Sequence, residues 1–220
     1  MSPPHGRVAV AGITVAVSIA VVLHLSVSTG QVSPLWQTLS EYVYGQLRGS
    51  ASAAPLFSAM CVALALGSLA LLTGIAKARK PGSVPVLAAL GLWCTGLLAC
   101  AVFRVDPPGV TRSLSGEVHN YAALLAFLAL PAAALLLTRK SAAHCPWEPR
   151  RSTIRRLAAA SLLGVAVVLG AFFWGVLAAP AQPVLTLGLF ERLLFGIDLG
   201  LLLAMVRPLL SSVSAPRPAH

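Results

Sequence analysis

Residues 8–29 contain no Asp, Glu, Lys or Arg, and four further stretches, 53–76, 84–103, 118–138 and 157–178, are equally bare of charge. A sixth, 185–206, is as apolar except for Glu191, Arg192 and Asp198. Each is about the 20 residues that an α-helix, rising 1.5 Å per residue, needs to cross the ~30 Å hydrocarbon core of a bilayer. A soluble domain of 220 residues would need a charged exterior, yet only 10% of this chain is charged, against roughly 25% for an average soluble domain. The expectation is an all-α integral membrane six-helix bundle, a single domain over residues 1–210, with 211–220 as a disordered cytoplasmic tail. Arg7 ahead of the first stretch gives it a passing likeness to a signal peptide. Its apolar run exceeds the ~7–15 residues of a signal core, so it reads as a retained helix.

The net charge of +10 would suit a nucleic-acid partner only if the basic residues formed one soluble face, and they do not. With helices alternating in direction, Arg7, Lys77, Arg79, Lys80, Arg139, Lys140, Arg150, Arg151, Arg155, Arg156, Arg207 and Arg217 fall on one side, twelve of the sixteen. Arg48, Arg104, Arg112 and Arg192 fall on the other. The positive-inside rule then makes both termini cytoplasmic. The stretch RKSAAHCPWEPRRSTIRR reads as an anchor for anionic headgroups. Cys61, Cys94, Cys100 and Cys145 form no C-x-x-C pair and read as fillers of helix interfaces. Gly-rich and Ala-rich helix faces predict close packing in lipid, Pro131 predicts a kink in the fourth helix, and no internal repeat suggests an inverted-repeat transporter.

Polar residues gather on the side opposite the basic loops. In SPLWQTLSEYVYGQLRGSAS, Ser33 and Pro34 make a helix start. Leu35, Trp36, Leu39, Val43 and Leu47 then follow at helical spacing, which predicts a short surface helix with Trp36, Tyr42 and Tyr44 at headgroup depth and with Ser40 and Glu41 turned toward the bundle. In FRVDPPGVTRSLSGEVHNYAALL, Asp106-Pro107-Pro108-Gly109 makes a turn. Ser115 or a neighbour caps the fourth helix, placing Glu117, His119 and Asn120 in its first turn. In GLFERLLFGIDLGLLL, Glu191 and Asp198 are two helical turns apart on one face. An acid at the depth of Asp198 must face the bundle interior and be protonated or paired. The partner must come from another helix, with His24, Arg104, Arg112 and His119 as candidates.

LSEYVYG, FRVDP, GEVHN and GLFERL, in that order, resemble the bacterial six-helix membrane family catalogued as domain of unknown function 998. The resemblance implies Ser40, Glu41, Gly45, Asp106, Pro107, Gly116, His119, Glu191 and Arg192 as family-type positions, and it implies no activity.

Two classes of function follow from the residues. One is a membrane-embedded enzyme acting on a lipid or isoprenoid in an outward-facing pocket, with Asp106, His119, Glu191, Asp198 and Glu41 as acid/base groups. Ser40, Arg104, Arg112, Asn120, Tyr121 and Arg192 would then hold the substrate. As a hydrolase it would use His119 with Asp106 or Asp198 to activate water, or to hold a metal that does. Catalytic zinc usually takes three protein ligands, so an Asp or Glu would have to join His24 and His119. As a cyclase it would use a protonated Asp198 and the rings of Phe190, Phe195, Trp93, Trp174 and Tyr121. The rival class is a non-catalytic protein that binds a lipid headgroup or a partner protein through Arg104, Arg112 and Arg192, because guanidinium pairs bidentately with anionic oxygens. A proton-coupled transporter would need a second acid in the cytoplasmic half of a helix, and there is none. Membrane lipids are the expected surroundings, no nucleic acid is expected, and the sequence names no cofactor and no oligomeric state.

Overall fold

The computed structural model describes residues 4–27, 32–47, 51–78, 84–107, 110–139, 145–177 and 187–211. It is all-α, with six long helices: α1 Pro4–Ser26, α2 Ala54–Ala78, α3 Val84–Val102, α4 Leu114–Leu137, α5 Arg151–Leu177 and α6 Leu187–Ser211. All six are long and apolar enough to span a bilayer. Pro4, Pro55 and Pro85 sit in the opening turns of α1, α2 and α3, where a missing N–H costs nothing. Of the tail expected over 211–220, Ser211 closes α6, and 212–220 lie outside the described residues.

The helix starts differ from the sequence reading in two informative places. Of Ser115 and its neighbours, Ser113 caps α4: its Oγ accepts from Gly116 N at 3.1 Å. The helix therefore opens at Leu114, and His119 and Asn120 fall in its second turn. Arg151 opens α5, six residues before the expected 157, behind a 3-10 turn at Glu148–Arg150. Charged residues extend that helix out of the apolar zone, which hydropathy alone does not reveal. Pro131 lies buried within α4, which continues through it to Leu137.

The surface helix expected after Ser33 is absent. Ser33 O accepts from Gln37 N at 3.0 Å to close one turn, and a 3-10 helix then runs Ser40–Tyr44. Tyr42 is 1% exposed rather than at headgroup depth, whereas Trp36 and Tyr44 are exposed. The loop gives up helical hydrogen bonds because α6 supplies replacements, described below.

Each helix packs on the next, and α6 returns to α1 while touching α2 and α4. The chain is thus a closed ring of spans in which α6 has the most neighbours. Small residues allow this. A Cβ on Gly12 would stand 2.6 Å from Gly67 Cα, and one on Gly96 would stand 2.7 Å from Ala122 O, so α1 meets α2 and α3 meets α4 backbone to backbone. Leu64, Leu71, Leu90, Trp93, Leu130, Leu201 and Leu202 fill the interior. Trp93 Nε1 donates to Ser68 Oγ at 2.8 Å, a buried polar tie between α2 and α3. Leu163 on α5 and Val8, Val21 and Leu25 on α1 are exposed, the lipid-facing surface of a membrane bundle. At the basic end, Trp147 Nε1 donates to Met205 O at 2.8 Å, and Lys77 Nζ donates to His5 Nε2 at 2.9 Å.

Candidate functional site

The loop over 32–47 is sewn to the start of α6. Leu39 N donates to Glu191 Oε2 at 2.8 Å, Leu189 N donates to Leu35 O at 3.2 Å, and Arg192 Nη1 donates to Gln37 O at 2.7 Å and to Gly188 O at 2.8 Å. Gly188 makes the seat possible, since a Cβ there would collide with the Gln37 carbonyl. Inside the loop, Glu41 Oε1 accepts from Thr38 N at 3.1 Å and Thr38 Oγ1 at 3.0 Å, and Ser40 Oγ lies 3.0 Å from Thr38 Oγ1. These side chains do locally what a helical ladder would have done.

Arg192 is the centre of this end. Its Nε donates to His24 Nε2 at 3.1 Å, so that imidazole nitrogen carries no proton. Its guanidinium carbon lies 5.3 Å from the centroid of the Tyr42 ring, a cation–π contact, and Tyr42 in turn lies 5.2 Å from the His24 ring. Nη2 is inaccessible to solvent and has no partner among the described residues. Arg192 and His24 line a groove of about 330 Å³ between α1 and α6, at the small end of ligand-binding pockets. Its other walls, Val17, Ala20, Val21, Leu25, Leu39, Phe195 and Leu199, are apolar.

The segment between α3 and α4 forms a second corner. Asp106 accepts from Ser113 Oγ at 2.6 Å and from Ser113 N at 2.8 Å. Those two bonds, with help from Arg112, hold its carboxyl below the usual carboxylate range. Gly116 leaves room for it, because a Cβ there would overlap the Asp106 carboxylate. His119 is 3% exposed and its Nδ1 donates to Phe103 O at 2.8 Å, which puts the proton on Nδ1. Ser115 Oγ bonds Arg104 at both N and O, each at 3.0 Å. Tyr44 OH donates to Val105 O, joining this corner to the loop over 32–47. Burial, and then the charge of Asp106, push the Tyr44 phenol up, so it stays a donor.

Sequence reasoning grouped Ser40, Glu41, Glu191 and Arg192 with Asp106 and His119, and the structure brings the first four together, with Tyr44 as the link to the second corner. It does not bring Asp198 to them. Asp198 is 1% exposed and Oδ1 accepts from Ser161 Oγ of α5 at 2.6 Å. Its partner is therefore a hydroxyl, in place of the expected His24, Arg104, Arg112 or His119. The other oxygen, Oδ2, is buried without a partner among the described residues. Arg104, Arg112, Asn120 and Tyr121 are exposed.

The roles of Gln37, Tyr42 and Ser161 escaped the sequence reading, while Ser113 fell within its choice of Ser115 or a neighbour as the cap. Ser161 carried no signal beyond its hydroxyl, and Tyr42 was assigned to the surface with its neighbours. His24 was noticed but matched with the wrong acid; it stands near the last turn of α1, level with Arg192 near the start of α6. Among the described residues no three His, Cys, Asp or Glu side chains come together as a metal site requires.

No curated protein and no solved structure matches the chain. A family model described as protein of unknown function (DUF998) matches residues 9–207, from the second turn of α1 almost to the end of α6, and the chain belongs to that family.

Proposed function

We propose that this multi-pass membrane protein binds an amphiphilic lipid without transforming it, in the groove between α1 and α6 near the extracytoplasmic face of the cell membrane. The observation that carries the reading is the groove itself: one apolar wall shared by two spans, ending at Arg192 and His24. An acyl or prenyl chain suits such a wall, and a polar head suits its end. The side assignment rests on the basic residues of the opposite end, which the positive-inside rule keeps in the cytoplasm.

Acid/base chemistry on a lipid or isoprenoid has less to support it. Glu41, Asp106, His119 and Glu191 each hold loop or helix-start backbone in place, directly or through a neighbour's hydroxyl. Asp198 retains an uncommitted oxygen, but it stands two turns, about 10 Å along the axis, from Glu191. Among the described residues the exposed Arg104 and Arg112 make no ion pair.

The test is mass spectrometry of lipids retained by purified protein. Ala20→Trp fills the groove, and Leu163→Trp places the same bulk on the exposed face of α5. The expected result is one lipid class retained by the wild type and by Leu163→Trp and reduced about tenfold in Ala20→Trp. Equal lipid content in all three would mean that the bound molecules are ordinary annular lipid.

A further inference from the structure

We infer that the ligand's head is an anion, a carboxylate or phosphate on a single-chain lipid, and that Arg192 is its counter-charge. The inference rests on the groove reading above and names the chemical class that the groove selects.

The argument starts from the contacts of Arg192. Its three bonded acceptors are an imidazole nitrogen and two main-chain carbonyls, and its ring contact is a tyrosine. All four are neutral, so none cancels the formal charge. The single ion pair among the described residues joins Arg151 to Glu148 at the other end of the bundle. Glu191, the neighbouring acid, gives Oε2 to Leu39 N and makes no pair with Arg192 within 4.0 Å. A half-buried guanidinium beside hydrocarbon, with Nη2 inaccessible to solvent and unpartnered among the described residues, is short of both one acceptor and one directly paired negative charge, since Glu191 acts on it only from beyond 4.0 Å. A neutral head, such as an alcohol or a sugar, would supply only the acceptor. An anionic oxygen supplies both, and bonds to ionised donors are roughly twice as strong as neutral ones.

Position supports the same class. Arg192 and His24 lie at one end of the groove while Val17, Val21, Phe195 and Leu199 extend along it. A lipid chain lying against those residues therefore brings its own head to the guanidinium. Because Nη2 is covered, the head must shift the guanidinium or its cover to reach it, and association should run well below the diffusion limit.

The experiment measures binding of radiolabelled oleate and oleyl alcohol, which differ only in the head, to purified protein in neutral detergent. For the wild type, oleate should bind at least tenfold tighter than the alcohol. Arg192→Gln should bring the two affinities together by lowering that for oleate about tenfold more than that for the alcohol. Arg192→Lys should keep part of the preference, since it retains the charge but not the fork. Inorganic phosphate in excess should fail to displace oleate. Equal binding of oleate and alcohol by the wild type would overturn the inference while leaving the groove reading intact. Binding of neither would end both. Displacement by phosphate alone would make the ligand a free anion and overturn the lipid assignment. The wild-type comparison stands by itself if the variants fail to fold.

Discussion

Gly116 decides whether Asp106 reaches the start of α4. With any larger residue there, the Asp106 carboxylate must leave Ser113, and Ser113 then loses the partner that aims its hydroxyl at Gly116 N. Gly116→Ala should lower the melting temperature in detergent, and by less in an Asp106→Ala background, because the second change removes the group that the first one strikes. Ser113→Ala removes the cap itself and should cost about 1 kcal/mol. Asp106 also sets a pH dependence. Its carboxyl is depressed in the folded protein, so its contribution is complete above the ordinary aspartate value of about 3.9. That contribution is lost as pH falls through the lower folded value. The stability gap between wild type and Asp106→Asn should thus hold steady from neutral pH to about 5 and close on further acidification. A gap unchanged at low pH would remove the carboxylate from the cap. At this scale the sequence was half legible. A turn followed by a capping serine is a local pattern, so Asp106 and the start of α4 could be placed within a turn of their positions. That Asp106 would serve the cap, and that Asp198 would meet Ser161, depends on which residues three-dimensional packing sets opposite each other, and no spacing rule carries that.

At the scale of elements, helix contacts turn on single glycines. A Cβ on Gly12 would press on Gly67 Cα and Ala63 O, whereas one on Gly91 meets nothing within 4 Å. Both substitutions improve helix propensity equally, so their difference isolates packing. Gly12→Ala should destabilise by about 1–3 kcal/mol as backbones are forced apart. Gly91→Ala should be neutral or gain about 0.5–1 kcal/mol. Thermal unfolding in one detergent compares them directly, and equal effects would mean that α1 and α2 do not meet at Gly12. Gly188 does the corresponding job for the loop over 32–47. Gly188→Ala should unseat that loop from Gln37 and speed hydrogen exchange at Leu39 N and Leu189 N while leaving α2 to α4 unchanged. The six spans were legible because hydropathy over 20 residues is a strong signal. The loop was misread as a helix because its apolar spacing is genuine, yet Leu39 N and the Gln37 carbonyl find partners on α6, more than 150 residues along the chain. Local periodicity has no access to such a partner.

For the whole molecule, the orientation in the membrane follows from charge and is open to a direct chemical test. Arg7, Lys77, Arg139, Arg150, Arg151, Arg155, Arg156 and Arg207 all stand at the end where Trp147 meets Met205. Glu41, Asp106, Glu117 and Glu191 stand at the other. By the positive-inside rule the basic end is expected in the cytoplasm together with both termini, which would turn the groove's Arg192 toward the outside. The native cysteines make the test clean. Cys61, Cys94 and Cys100 are buried among helices, leaving Cys145 as the one partly exposed thiol. A Cys145→Ser protein should therefore be silent toward a membrane-impermeant maleimide. On that background Asn120→Cys, exposed in the second turn of α4, should label in intact cells. Arg155→Cys, exposed in the second turn of α5, should label only after permeabilisation. The reverse pattern would put the groove's polar end in the cytoplasm, where the ligand would have to come from the inner leaflet. An anionic head would then have to compete with the abundant anionic lipids of the inner leaflet. Bundle orientation thus determines which leaflet Arg192 samples, a consequence of residues far from the groove that no substitution within it would alter.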